Sequence, residues 1–241
     1  MISTFKRVGE TPFEALKRLR EEQPDLKNAV LSYAGRLDPM AEGKMLVLVG
    51  DENNHRDKFM VFDKEYIATF LVGVGTDSYD ALGLIEKEGE QNVSRARIEA
   101  SFEKVRVLRK QTYPWFSGQT VDGIKLFEHY KNGNRTITRP TLPVEIKEAT
   151  LVDVETVPVE EVSEYVKESI GKVHGDFRQD EILFRWKIYF EGNRGTMQTF
   201  TVRFRVSSGT YIRAFVEQCD FPALLLKLKR TKIFQDREGI L

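Results

Sequence analysis

Cysteine is almost missing from this chain of 241 residues. Cys219 is the only one, which excludes an intramolecular disulfide and fits a reducing compartment, the cytoplasm. It precedes Asp220-Phe221-Pro222 with no lysine or arginine beside it, so it reads as a structural thiol rather than a nucleophile. Histidine is scarce as well. His55, His129 and His174 lie far apart and form no metal-ligand spacing, so no metal is expected. The longest apolar run, residues 45–49, falls far short of the ~20 residues of a membrane span, and no leader of charged then apolar residues opens the chain. A surplus of charge is missing too: 37 Lys+Arg balance 37 Asp+Glu. Taken alone, that balance argues against a nucleic-acid partner, whose domains are usually basic.

What is present is an ordinary globular composition, 41% hydrophobic and 31% charged, enough to build one sizeable core or two small ones and unlike a disordered or fibrous chain. The charge is uneven along it. Residues 1–50 are net +1, 51–100 net −5, 101–150 net +4, 151–200 net −4 and 201–241 net +4. Two basic blocks can therefore form one positive face if the fold brings them together. The alternative is a solvated surface with clustered charges.

Local signals place the elements. Thr11-Pro12-Phe13-Glu14 carries a cap, an N1 proline and a capping-box glutamate, and Phe13, Leu16 and Leu19 continue at helical spacing until Pro24. Residues 32–39 read as a loop, 45–49 as a strand, 56–62 as a short helix and 64–74 as a strand. A polar loop at 76–80 precedes a helix over 93–105, capped by Ser94. An extended aromatic stretch at 110–118, a helix over 123–130 and strands at 135–138 and 144–154 follow. Residues 158–170 read as an acidic helix and 171–179 as a loop. Strands at 183–190 and 198–206 are expected to pair across 192–195. Residues 211–218 and 223–229 look helical. Without regular βαβ alternation, repeats or a low-complexity linker, this is one α+β domain over 1–241 with a largely antiparallel sheet.

A run of motifs carries a resemblance. Gly35-Arg36-Leu37-Asp38-Pro39-Met40-Ala41-Glu42-Gly43 resembles the G-x-L-D-P-x-A-x-G loop of the TruB family of tRNA pseudouridine synthases. Lys6 with Gly9-Glu10-Thr11 precedes it as in the family's opening motif. Lys64-Glu65-Tyr66, then Gly73, Thr76-Asp77-Ser78, Asp80 and Gly83, are similar to its second motif. Gln111, Pro114, Phe116, Ser117, Gly123, Leu126, Phe127, Lys131 and Gly133 follow its next segment. Ser207-Ser208-Gly209-Thr210-Tyr211-Ile212-Arg213 resembles C-S-x-G-T-Y-I-R, and Leu228-Lys229-Arg230-Thr231 its closing motif. The matches run in the family's order from about residue 5 to 234.

The resemblance implies the pseudouridine-synthase fold, a bent, mostly antiparallel mixed sheet with flanking helices and a central cleft. It implies a cofactor-free, metal-free isomerase acting on the T arm of tRNA, at uridine 55, as a monomer. Such a reaction cleaves a C–N glycosidic bond, turns the uracil and forms a C–C bond. It needs an anionic group near the reacting atoms and a base drawn out of its stack. Asp38 matches the catalytic aspartate, as nucleophile or base, although Asp-Pro by itself is a common loop pair. Arg213 matches its partner, which keeps a carboxylate ionised and oriented. Tyr66 matches the tyrosine that stacks on the everted base. Asp80 matches an acidic position near that base, Arg36 is a substrate-binding candidate, and Thr76 and Asp77 shape the loop. Lys64, Lys229 and Arg230 are candidate phosphate contacts. Phe116 reads as core, and Trp115 is open between core and base stacking.

The sequence departs from the family in five places, one being a shorter stretch between Arg213 and Lys229. Tyr33 stands where a histidine commonly helps evert the base, and stacking by its ring is the expected substitute. Thr120 replaces a frequent lysine. An acidic insertion occupies about 158–197. The sequence ends soon after Arg230, so the family's C-terminal PUA domain is not expected. Alternative readings are a non-catalytic tRNA-binding chaperone of the same fold and a synthase for another RNA. With the basic blocks holding Arg213 and Arg230, a positive cleft and an acidic back are expected.

Overall fold

The start signal at Thr11 is realised in full in the structure, a computed structural model that describes residues 1–235 and 239–240. The Thr11 hydroxyl accepts the Glu14 N–H at 3.2 Å and the Glu14 carboxylate accepts the Thr11 N–H at 2.6 Å, closing the reciprocal box that satisfies two end donors of α1 (Pro12–Glu22). The face it buries is Pro12, Ala15, Leu16 and Leu19. Phe13, expected on that face, is exposed, with the Lys17 ammonium 4.8 Å from its ring centre.

A mixed sheet carries the molecule. Its path runs β1 (Ile2–Lys6), β3 (Ala41–Val49), β13 (Ala223–Gln235), β4 (Asp63–Val72), β12 (Thr196–Val206), β11 (Ile146–Pro158). Short β2 (Leu31–Ala34) pairs with β3, and β14 (Gly239–Ile240) with β13. Every pairing is antiparallel except that of β13 with β3. At that parallel junction Gly43 faces Arg230, and a Cβ on Gly43 would lie 2.2 Å from the Arg230 carbonyl oxygen. Only glycine lets the two backbones approach this closely, and Gly43 also takes φ +120. Small ladders of β5 (Val74–Thr76) with β6 (Ile85–Glu88), β7 (Lys110–Thr112) with β10 (Thr141–Pro143), and β8 (Thr120–Val121) with β9 (Ile124–Lys125) brace the loops.

Strand alternation sends side chains to two cores. On one face Phe70, Phe200, Phe204 and Leu225 pack with α3 (Arg95–Arg106) and the 3-10 turn Ile212–Gln218. Rings of Phe70 and Phe200 stack at 5.0 Å, and Phe102 of α3 meets Phe200 edge-on at 5.6 Å. On the other face Leu71, Met197, Leu224 and Leu226 receive α5 (Val159–Gly171) and α6 (Gln179–Gly192). Short α2 (Arg56–Met60) and α4 (Leu126–Lys131) lie on connecting segments.

Several expectations are corrected. Residues 183–190 are not a strand but part of α6, whose buried Ile182, Trp186 and Tyr189 recur at helical spacing. No 183–190/198–206 hairpin forms, and β12 pairs instead with β4 and β11. Residues 223–229 are strand, not helix. Leucine favours helices in isolation, but here Ala223 and Leu225 enter one core and Leu224 and Leu226 the other. A strand covered on both faces reads as a continuous apolar run, which periodicity cannot separate from a buried helix. Residues 135–138 are irregular, 31–34 are strand rather than loop, and the helix expected from 123 begins at Leu126.

Phe200 sits at the centre of the aromatic core, so Phe200→Ala should cost about 3–5 kcal/mol of unfolding free energy. Urea denaturation followed by circular dichroism checks it, and a loss below ~1 kcal/mol would contradict this packing.

Candidate active site

The loop from Gly35 to Met40 bridges the end of β2 and the start of β3 and presents Asp38. Two buried cations hold its ends by their charge-seeking carbonyls. Lys6, with no exposed surface, donates from Nζ to the Ala41 oxygen at 2.6 Å, the Arg7 oxygen at 3.0 Å and the Pro39 oxygen at 3.3 Å. Burial pushes its ammonium down to about 8, opposed by Asp38 and Glu10. At the other end Arg230 donates Nε to the Lys44 oxygen at 2.6 Å and Nη2 to the Gly35 oxygen at 3.0 Å. Arg230 Nη1 is buried without a protein partner.

Arg213 enters from the Ile212–Gln218 turn, its side chain only 4% exposed. The guanidinium spends each nitrogen on a different segment. Nε donates to Asp38 Oδ2 at 2.8 Å, Nη1 to the Ser78 carbonyl at 2.7 Å and Nη2 to the Phe116 carbonyl at 2.7 Å. Gln111 ties Tyr211, the residue before that turn, in place: its amide donates to the Tyr211 oxygen at 2.9 Å and its oxygen accepts the Tyr211 N–H at 2.8 Å. Burial pushes the Asp38 carboxyl up, but Arg213, with help from Arg36 and Lys6, more than reverses it and holds Asp38 below its ordinary value.

Asp80 behaves in the opposite way. Its Oδ2 stands 4.0 Å from Arg213 Nε, while Oδ1 accepts the Ser78 hydroxyl at 2.7 Å and the Leu82 N–H at 3.0 Å. Burial pushes its carboxyl up to about 6, against the pull of Arg213 and Ser78 and with a further push from Asp38. Two neighbouring carboxyls thus differ in their readiness to ionise, as groups with separate chemical tasks often do. Thr76 secures the loop by donating to the Asp80 carbonyl at 2.6 Å.

Two cavities, of about 470 and 220 Å³, meet at Arg36, Asp38, Tyr211 and Arg213. Together they are lined by seven cationic side chains (Arg36, Lys64, Lys125, Lys131, Arg178, Arg213 and Arg230) and three carboxylates (Asp38, Asp80 and Asp176). Tyr66, on β4, joins the wall of the smaller cavity with Lys64 and Arg230. Lys64 is no surface lysine: it is 3% exposed, its ammonium donates to Ser208 Oγ at 3.1 Å and the Met60 oxygen at 3.2 Å, and burial pushes it down to about 8.

Of the residues singled out from sequence, the structure gathers Asp38, Arg36, Lys64, Tyr66, Asp80, Arg213 and Arg230 around these cavities. Two lie elsewhere. Tyr33 faces α1 among the Leu16–Val47 cluster, with the Arg56 guanidinium 5.6 Å from its ring centre. Lys229 is exposed and pairs with Glu42 at 3.6 Å, whereas its neighbour Arg230 is buried against the smaller cavity. Phe116, expected in the core, lines the larger cavity. Phe177 and Arg178, in the acidic insertion expected at the back, also line it; no motif marks them. Burial pushes the Cys219 thiol up to about 11, leaving it protonated at neutral pH. Among the described residues no cluster of three or more His, Cys, Asp or Glu side chains is placed to hold a metal, and no helix is long and apolar enough to cross a membrane.

Comparison with known proteins adds to this geometry. Residues 25–172 match the model of the TruB family pseudouridylate synthase N-terminal domain. A curated tRNA pseudouridine synthase B from Fusobacterium nucleatum is 34% identical over 148 residues, covering 61% of this chain and 50% of that protein. One from Lactobacillus delbrueckii is 28% identical over 236 residues, covering 94% and 65%. The chain thus spans about half to two thirds of the length of these curated relatives. Among solved structures, a chain of a Cbf5-Nop10-Gar1 complex superposes with a TM-score of 0.56 at 14% identity, covering 95% of this chain and 47% of that one. That likeness is one of fold.

The raised Asp80 carboxyl has a measurable consequence. It titrates near 3.8 when unfolded and about 6 when folded, so the folded state binds more protons between these values and loses stability as pH rises through them. Asp80→Asn removes the buried charge and should raise the melting temperature at neutral pH, with the gain vanishing by about pH 4. Thermal melts across pH test this; a gain that persists undiminished in acid would contradict it.

Proposed function

This chain belongs to the TruB family of pseudouridylate synthases, and from that membership we propose that it isomerises uridine to pseudouridine in tRNA, at position 55 of the T loop. The observation that carries the reading is the Asp38–Arg213 pair, 2.8 Å apart at the junction of two cavities whose charged lining is mainly cationic. RNA brings phosphate charge to such a surface, and a target base must leave its stack to reach Asp38.

The residues divide the work by position. Asp38, held ionised by Arg213, is the anionic group that attacks the nucleotide or removes a proton from it. Its side chain keeps 31% exposure beside the cavities, so substrate can reach it. Tyr66 forms a wall of the smaller cavity, where its ring stacks on the everted uracil. Asp80, less ready to ionise, stands 4.0 Å from the same Arg213 Nε that Asp38 engages and helps to fix the guanidinium. Lys64 and Arg230 receive a phosphate of the target strand. The unpartnered Arg230 Nη1 supports this role, because a buried guanidinium N–H without an acceptor is costly until an anion supplies one.

Mapping pseudouridine in a tRNA transcript incubated with the protein tests the function. The wild type should modify uridine 55, and Asp38→Asn should abolish turnover while tRNA affinity stays within roughly threefold. A wild type that binds tRNA tightly but forms no pseudouridine would sink the enzymatic reading and leave an RNA chaperone. For the phosphate contact, Arg230→Ala should raise KM and flatten the log–log salt dependence of binding by about 0.7–0.9. An unchanged slope would remove Arg230 from the interface.

A further inference from the structure

The α5–α6 hairpin falls outside every motif shared with the family, yet its tip reaches the larger cavity. Asp176, Phe177 and Arg178 line that cavity together with Asp38, Phe116 and Arg213. The hairpin's body is anchored on the sheet through Val162, Val166, Ile182 and Trp186, and the Trp186 indole donates to the Ala81 carbonyl at 2.9 Å. The tip is therefore held from behind by apolar packing that does not depend on what it touches in front.

Arg178 is the residue that touches most. Its backbone takes φ +63 and ψ 29, the left-handed region that an L residue with a Cβ avoids, so surrounding contacts must hold it there. The Asp176 carboxylate accepts its N–H at 3.3 Å. Its guanidinium grips Asp77 by both nitrogens, Nη1 to Oδ2 at 2.9 Å and Nη2 to Oδ1 at 3.3 Å, and lies over the Phe116 ring at 4.6 Å. The Asp77 carboxylate is only 1% exposed, and its other contact is the Leu84 N–H at 2.9 Å. Without Arg178 it would be a buried anion with no cation, a situation proteins tolerate poorly.

The two segments that Arg178 joins are two of the three that hold Arg213. Ser78, next to Asp77, offers the carbonyl for Nη1, and Phe116 itself offers the carbonyl for Nη2. Ser78 also donates its hydroxyl to Asp80. We propose that Arg178 is a positioning residue: by bridging Asp77 and Phe116 it fixes both carbonyl acceptors of Arg213, and so orients the Arg213–Asp38 pair, making the α5–α6 hairpin a working part of the active-site scaffold. The effect on turnover rests on the reading that this pair performs the isomerisation; the effect on Arg213 does not.

The experiment therefore has two arms. In the first, the Nε–H resonance of Arg213, assigned by its loss in Arg213→Lys, is followed by nitrogen-15 NMR. Its solvent exchange should be slow in the wild type and at least roughly tenfold faster in Arg178→Ala, since loosened acceptors expose the donor. In the second, tRNA modification kinetics should show kcat lowered at least roughly tenfold in Arg178→Ala with KM nearly unchanged, a smaller loss in Arg178→Lys, and partial recovery in Arg178→Ala/Asp77→Asn, which removes the stranded charge. Thermal melts of all variants accompany both arms, and Arg178→Lys serves where Arg178→Ala fails to fold. Unchanged exchange at Arg213 overturns the proposal, as does a rise in KM alone, which would make Arg178 a substrate contact. A wild type without synthase activity would overturn the functional reading but leave the first arm to decide the role of Arg178.

Discussion

A guanidinium buried in a protein must be neutralised and its donors occupied, because desolvating a charge costs far more than any one contact returns. Arg213 is that group here. Its three nitrogens draw together the Asp38 loop, the 76–80 loop and the segment at Phe116. None of the three contact residues lies in a strand, so Arg213 supplies a tie between these segments that no strand pairing makes. The same charge holds Asp38 ionised and opposes the rise of the Asp80 carboxyl.

Lys6 and Arg230 extend the principle to the backbone. Each is buried, Lys6 on the Pro39 and Ala41 oxygens where the Gly35–Met40 loop enters β3, Arg230 on the Gly35 oxygen where the loop begins and on the Lys44 oxygen within β3. A buried cation lacks water, and backbone carbonyls supply the acceptors its N–H groups need. The loop that carries Asp38 is thereby fixed although it has no regular structure. Gly43 permits this arrangement by letting β3 lie directly against β13 at Arg230.

The sheet supplies the frame, with one apolar layer on each face. The face bearing Phe70, Phe200 and Phe204 places the turn that carries Arg213. The opposite face seats α5 and α6, whose connecting tip reaches the cavity and meets Asp77. Both layers thus converge on the loops at one region of the sheet. The lining there, seven basic side chains against three carboxylates, gives a chain with no net charge a locally positive cleft.

Much of this was determined by sequence alone. Thr11 to Glu14 specify the start of α1 because a capping box is made of local contacts, and the ordered motifs name the family and bring Asp38, Tyr66, Asp80 and Arg213 forward as a set. Tertiary structure decided the rest, wherever both faces of an element are covered or a contact joins distant residues. The Leu224–Leu226 run is a strand only because cores exist on both its sides. Lys229 and Arg230 look alike in sequence, yet one is solvated beside Glu42 and the other buried against the cavity. Arg178 carries no local signal at all: its role depends on a buried carboxylate 101 residues away in sequence, a pairing that exists only once the hairpin is folded onto the sheet.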